Sequence, residues 1–451
     1  MSDQSSVALA DHPETSIDGR ALYARISWRL IPYMFLLYIL AYLDRVNVGF
    51  AAVQMKQQLH FSDTVYGTGA GIFFIGSALF DIPSNLILSK VGPRLWIARI
   101  MITWGIISTC MMFVHSPWSF YGLRFLLGVS EAGFFPGMIL YLTYWFPSRE
   151  RARSVARFMT ATAIAGVVGA PLSSSLLKLD GRGGLHGWQW LFISEGLPTI
   201  IAGLSVLLFL KDHPDQATWL TPKERAWIDD ELKRDRESAG ATGRHNFLDA
   251  LKLPALWVLA AIFFVSQITI YTVNLWMPLI LAGFKTGGAV KTALSAGEAS
   301  AIARYATLPY LATAIAMVAI GWSSDRLNDR RWHVAACLLI SAGGFAWVAH
   351  AQSTTTVLIA FSLAAIGVFS LQGPFWTWLT TMLEGTAAAG GIAIITTVGG
   401  FGGFLGPYLT GRLRDATHSF AGGLYGMSVL AVLAAGLSLA LRNARGSPAK
   451  S

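Results

Sequence analysis

Trp118-Ser119-Phe120-Tyr121-Gly122-Leu123-Arg124-Phe125-Leu126-Leu127-Gly128-Val129-Ser130-Glu131-Ala132-Gly133-Phe134-Phe135-Pro136 is almost wholly apolar, and with its flanks it is long enough to cross a bilayer. Two ionisable residues interrupt it. Arg124 and Glu131 are seven residues apart, which places them on one helix face, two turns from each other. An ionisable group in hydrocarbon costs at least ~2.5–3.5 kcal/mol on insertion scales, so it rarely occurs without a partner or a task. An earlier apolar segment carries a second pair, Asp44-Arg45, within Tyr42-Leu43-Asp44-Arg45-Val46-Asn47. Two acids and two arginines in the first third of a membrane chain suggest a proton path beside an anion site.

The rest of the composition agrees with a membrane protein. The chain has 451 residues, 54% hydrophobic and 13% charged, with a mean hydropathy of +0.51. These values exclude a soluble globular domain and a disordered chain. The net charge of +9 does not signal nucleic acid, because Lys and Arg gather in alternate loops, as membrane topology demands. Cys110 and Cys337 fall in apolar segments without a paired spacing, and the nine histidines lie in tails, loops or span ends. Neither pattern predicts a disulfide, a metal centre or any other cofactor. Residues 1–25 are polar and lack an apolar core with a cleavage site, so the first span is expected to act as its own insertion signal.

Hydropathy predicts an all-α protein of twelve transmembrane spans, at 26–48, 64–89, 96–114, 117–146, 154–178, 188–210, 254–282, 300–323, 333–351, 354–384, 387–411 and 420–442. An even count puts both termini on one side. Basic clusters at Lys90/Arg94/Arg99, Arg149/Arg151/Arg153/Arg157 and Arg326/Arg330/Arg331, with the central loop and tails, assign that side to the cytoplasm. Arg412 and Arg414, in the last outer loop, run against the pattern. The expected plan is a cytoplasmic tail (1–25), a six-helix bundle (26–210), a cytoplasmic loop (211–253), a second six-helix bundle (254–442) and a short cytoplasmic tail (443–451). The expected location is the plasma membrane, the inner one in a bacterium. Within the central loop, Thr221-Pro222-Lys223-Glu224 reads as a helix start, with Thr221 as cap and Glu224 as capping-box partner.

The halves echo each other. The basic turn Lys90-Val91-Gly92-Pro93-Arg94 follows span two, and Asp325-Arg326 with Asp329-Arg330-Arg331 follows span eight. Gly166-Val167-Val168-Gly169-Ala170-Pro171 in span five matches Gly402-Gly403-Phe404-Leu405-Gly406-Pro407 in span eleven. Such internal symmetry is what duplicated transporters leave in a sequence. Taken singly, each glycine is explained by close helix packing. Gly367-Val368 of span ten echoes Gly128-Val129 of span four, and this register sets Ser370 opposite Glu131.

These motifs resemble the major facilitator superfamily, and within it the anion:cation symporter family. The similarity rests on Tyr42-Leu43-Asp44-Arg45-Val46-Asn47-Val48-Gly49-Phe50-Ala51, Asp81-Ile82-Pro83-Ser84-Asn85-Leu86, Gly92-Pro93-Arg94-Leu95-Trp96-Ile97-Ala98-Arg99 and the span-four run. Glu150-Arg151-Ala152-Arg153, Gly187-Trp188-Gln189-Trp190 and Gly403-Phe404-Leu405-Gly406-Pro407-Tyr408 extend it over about residues 23–440. The resemblance implies two six-helix bundles around a central cavity and secondary transport of organic carboxylates, usually with protons. It assigns the proton to Asp44 and Glu131, and the anion to Arg45 and Arg124. One departure stands out. Family members often carry two asparagines in span eleven, whereas this chain has Thr396 and Gly400 there. Losing two amides argues against a polyhydroxylated sugar acid.

Further candidates come from position. Tyr42, Gln372, Trp376 and Thr396 could line a substrate site, since Tyr42 is three residues before Arg45 and Gln372 and Trp376 are four apart. Asp81, Arg94, Glu195, Asp325 and Arg326 are expected to form gating salt bridges at the cytoplasmic helix ends. The function this predicts is proton-coupled uptake of an organic carboxylate by a monomer, through alternating access. An exporter or exchanger of the same fold is the nearest rival. A membrane enzyme or sensor is a more distant one, because no nucleophile–base pair and no metal set is visible in the spans.

Overall fold

A computed structural model describes residues 17–148, 150, 151, 154, 161–240, 251–285, 294–382 and 385–441. Those residues form an all-α membrane fold. Ten of the expected spans are helical segments long and apolar enough to cross a bilayer. The fifth is described over Ala161–Leu177, and its apolar part, Ile164–Leu177, is shorter. The eleventh is one 33-residue helix, Gly385–Thr417, whose many glycines and threonines dilute its hydropathy. Arg149, Arg153 and Arg157 of the expected basic cluster lie outside the described residues.

The first span is longer than its hydropathy suggests. Gly19–Gln58 is a single 40-residue helix, capped by Asp18, whose carboxylate accepts the backbone N–H of Arg20 at 2.9 Å. Its start lies outside the apolar stretch because Tyr23 packs on Trp227 of the central-loop helix, ring centroids 5.6 Å apart. That helix, Pro222–Gly240, has the expected capping box: the Thr221 N–H donates to Glu224 at 2.9 Å and the Glu224 N–H to Thr221 Oγ1 at 3.3 Å. It is more than a solvated connector. Ile228 and Leu232 are buried, Glu224 pairs with Arg25, and Asp235 accepts the backbone N–H of Ser148 at 3.1 Å.

Two spans break, at positions the register had matched. Span four stops at Glu131, the last residue of Pro117–Glu131, and restarts as Phe134–Thr143. Gly133 makes the break with φ +81°, a left-handed conformation that costs glycine little. The exposed backbone is satisfied by span two (Asp63–Val91): Asp81 accepts the Gly133 N–H at 2.7 Å, and Ser84 donates to the Ala132 carbonyl at 2.7 Å. Span ten stops at Ser370, the last residue of Thr354–Ser370, and restarts as Gln372–Met382.

Arg412 and Arg414 receive a physical account here. They belong to the last turns of Gly385–Thr417, where cations favour the helix dipole. Arg414 donates to the His418 carbonyl and covers the Phe420 ring at 4.5 Å. Apolar side chains such as Ile201, Leu208, Val318 and Val429 are more than half exposed, as a lipid-facing surface requires.

Candidate functional site

Neighbouring residues on a helix point about 100° apart, and the first span uses this to send Asp44 and Arg45 to different places. Arg45 reaches span four and forms an ion pair with Glu131 through Nη2. Its Nη1 faces the Tyr271 hydroxyl of span seven (Pro254–Lys285) at 3.4 Å, and its guanidinium lies 5.8 Å from the Phe73 ring centre. One fifth of the Arg45 side chain remains exposed, against 2% for Glu131. Among the described residues, Arg45 Nε and Glu131 Oε2 have no hydrogen-bond partner. The group therefore pairs an acid with a fork-shaped cation that keeps unused donor capacity.

Asp44 turns inward. It accepts from Ser108 Oγ at 2.7 Å, Thr199 Oγ1 at 3.0 Å and Asn47 Nδ2 at 3.3 Å, and it is 1% exposed. Although Asp44 is adjacent to Arg45 in sequence, three neutral donors from spans three, six and one hold it.

Arg124 differs from its expected placement. It is fully buried, with Nε donating to the Gly69 carbonyl at 3.3 Å and Nη2 to the Ala70 carbonyl at 3.0 Å. The Phe73 ring lies 4.9 Å from it. Arg124 thus ties spans two and four in this conformation. The two spans approach closely because a Cβ at Gly128 would sit 1.9 Å from the Phe73 carbonyl oxygen.

Tyr42 is drawn into a chain that joins the halves. Asn274 Nδ2 donates to the Tyr42 hydroxyl at 3.2 Å, and Tyr310 donates to Asn274 Oδ1 at 2.8 Å. Of the other lining candidates, Gln372 starts the helix after the span-ten break and its Nε2 has no partner. Trp376 packs edge-on against Phe263 at 5.0 Å. Thr396 donates to the Ile392 carbonyl of its own helix at 3.0 Å. Gly400 stands against span two: a Cβ there would be 3.0 Å from that of Ala78. Close packing between spans two and eleven thus favours a small residue at one of the two positions where the family pattern has an amide.

The five gating candidates do not form one network in this conformation. Asp81 caps Gly133, and Glu195 is buried with neither carboxylate oxygen hydrogen-bonded. Neither acid has an ion pair among the described residues. Arg94 donates from Nε to the Leu207 carbonyl at 2.9 Å, and its backbone N–H to Asp212 at 2.7 Å. Asp325 pairs with Arg330 at 2.9 Å, and Arg326 lies 5.2 Å over Trp322.

Sequence reading missed Tyr271, Asn274 and Tyr310. The signal existed, because Gln267, Tyr271 and Asn274 recur at helical spacing in an otherwise apolar span. Ser108 and Thr199 gave no signal, since single hydroxyls in spans are common. No group of three or more His, Cys, Asp or Glu side chains among the described residues could hold a metal.

The comparisons agree with the fold. Residues 34–407 match the family model of the Major Facilitator Superfamily. A "Putative tartrate transporter" of Agrobacterium vitis is 46% identical, over 96% of this chain and 93% of the relative. A "Quinolone resistance transporter" of Acinetobacter baumannii is 39% identical, over 90% of this chain and 91% of the relative. Among solved structures, a bacterial homologue of the human lysosomal transporter Spinster, inward-facing and unoccupied, superposes with a TM-score of 0.73. It is 18% identical, over 93% of this chain and 96% of that one, and so supports the fold alone.

Proposed function

We infer that this chain, which belongs to the major facilitator superfamily, takes up an organic carboxylate together with protons. One observation carries the reading. The guanidinium of Arg45, partly open and facing both halves, has Glu131 as its counterion. While Glu131 is ionised it occupies Arg45. A proton on Glu131 removes that charge and frees the fork for a substrate carboxylate, which Arg binds in bidentate fashion. Proton and anion then bind in mutual support, which is the thermodynamic requirement of symport. The Agrobacterium relative's name points to the same substrate class.

In this reading Arg45 and Tyr271 contact the anion, with Tyr42, Gln372, Trp376 and Thr396 around it. Arg124 keeps spans two and four together and adds positive field near Glu131. Asp44 is a second acid coupled to the cycle. Twelve spans form two six-helix bundles, 26–210 and 254–442, which rock about a midplane site. Both termini are cytoplasmic, the membrane is the plasma membrane, and the working unit is one chain. Asp81, Arg94, Asp325 and Arg326 meet as gates in the conformation opposite to this one.

Uptake of labelled tartrate and other carboxylates into proteoliposomes, driven only by an inward proton gradient, tests the proposal. Accumulation above equilibrium is the expected result. No accumulation of any carboxylate at either gradient sign would refute it. The Acinetobacter relative, named for quinolone resistance, motivates a second reading in which this fold exports or exchanges its substrate. Accumulation that grows when the gradient is reversed would select that reading.

A further inference from the structure

Glu195 sits deep in the first half on span six (Gly187–Phe209), 4% exposed, beside Asp44 and Asn47 of span one. The three side chains are served very differently. Asp44 receives three donors, from Ser108, Thr199 and Asn47. Glu195 shares only Asn47 of these donors, and among the described residues neither Oε1, Oε2 nor Asn47 Oδ1 makes a close hydrogen bond. Thr199 lies one turn from Glu195, yet its hydroxyl is directed to Asp44 and to the Glu195 backbone carbonyl, 3.0 Å from each.

Buried acceptors served by so few donors are a costly arrangement, and more so if Glu195 carries a charge. Among the described residues, no hydrogen bond of Arg45 or Arg124 goes to Glu195: Arg45 pairs with Glu131 and faces Tyr271, and Arg124 donates to the Gly69 and Ala70 carbonyls. The charged neighbour that acts on Glu195, Asp44, is an acid itself. A single hydrogen corrects the deficit. A neutral Glu195 donates its O–H to Asn47 Oδ1, and Asn47 Nδ2 donates onward to Asp44.

We propose that Glu195 holds a resident proton and, through Asn47, positions Asp44. This deepens the proton-coupled reading and gives Glu195 a role other than a gate salt bridge, which would need it ionised. The pair then carries one negative charge at most, on Asp44, and that is the group left to exchange a proton with solution.

Infrared spectroscopy of the purified full chain tests this without any transport. The wild-type protein at neutral pH should show the C=O stretch of an un-ionised carboxylic acid. That band should vanish in Glu195→Gln and persist in Asp44→Asn. In Asn47→Leu, which removes the acceptor, it should move to higher frequency; this variant serves if Glu195→Gln does not fold. Survival of the band in Glu195→Gln, its loss in Asp44→Asn alone, or an unshifted band in Asn47→Leu would each overturn the proposal. A carrier that moves no carboxylate but shows these band changes would sink the transport reading and leave the resident proton standing.

Discussion

Asp415, at the end of span eleven, accepts the backbone N–H of Thr64 at 2.7 Å and so caps the start of span two from the opposite half of the chain. Its other oxygen takes the Asp63 N–H at 3.1 Å. A carboxylate is well placed there, because the first N–H groups of a helix are unpaired and carry partial positive charge. Further hydrogen bonds between the halves run from Arg45–Tyr271 and Tyr42–Asn274 through Tyr66–Leu275 to Gln57–Leu294, towards the same end. If the termini are cytoplasmic, as proposed, this is the outer end, and these contacts would hold it closed.

Asp415→Ala should weaken that closure. Loss of a helix cap costs about 0.5–2 kcal/mol, so the outer-closed fraction should fall about two- to thirtyfold relative to the outer-open one. Pulsed electron-resonance distances between spin labels at His60 and His418 would report it. An unchanged distance distribution would show that the contact does not bias the cycle.

The two arginines should part company under the same substitution. Arg45→Lys keeps charge but loses the fork, so carboxylate affinity should drop about tenfold or more while folding survives. Arg124→Lys should chiefly lower thermal stability, because it breaks hydrogen bonds between spans rather than an exposed contact. Calorimetric titration and thermal melts on both variants decide this. A Kd loss confined to Arg124→Lys would exchange their roles.

Glu131→Gln mimics the protonated acid. It should still bind the anion, with Arg45 released from its counterion, and still exchange labelled for unlabelled substrate. Accumulation driven by a pH gradient should be lost. Retained pH-driven accumulation would move the coupling proton to Asp44.

Two glycine substitutions should act on different equilibria. Gly128→Ala brings a Cβ within 1.9 Å of the Phe73 carbonyl inside the first half, so it should destabilise the fold by about 1–3 kcal/mol. Gly67→Ala meets the Pro407 carbonyl at 2.3 Å across the halves. It should disfavour outer closure and leave the melting temperature nearly unchanged, because the strain is relieved when the halves separate. Equal effects of both on melting would contradict the division.

Local physics decides much of this protein. Apolar stretches of bilayer length are helices because lipid offers the backbone no other hydrogen-bond partner. The Thr221 cap follows from a short-range pattern, whereas the breaks after Glu131 and Ser370 interrupt spans expected to be continuous. The presence of an acid–arginine group was legible for the same reason: a charge in hydrocarbon is rare enough to be read singly. Partner choice was not legible. Which of Asp44 and Glu131 meets Arg45 depends on how spans one and four are rotated against each other, and span four is itself fixed by packing on span two, Gly128 against Phe73. Arg124 looked like the deeper anion ligand, yet span two supplies carbonyls that take its Nε and one N–H of Nη2. Tyr271, Asn274 and Asp415 come from the far half, more than two hundred residues away in the chain. Sequence periodicity sees one helix at a time; contacts between helices exist only once the halves have closed on each other.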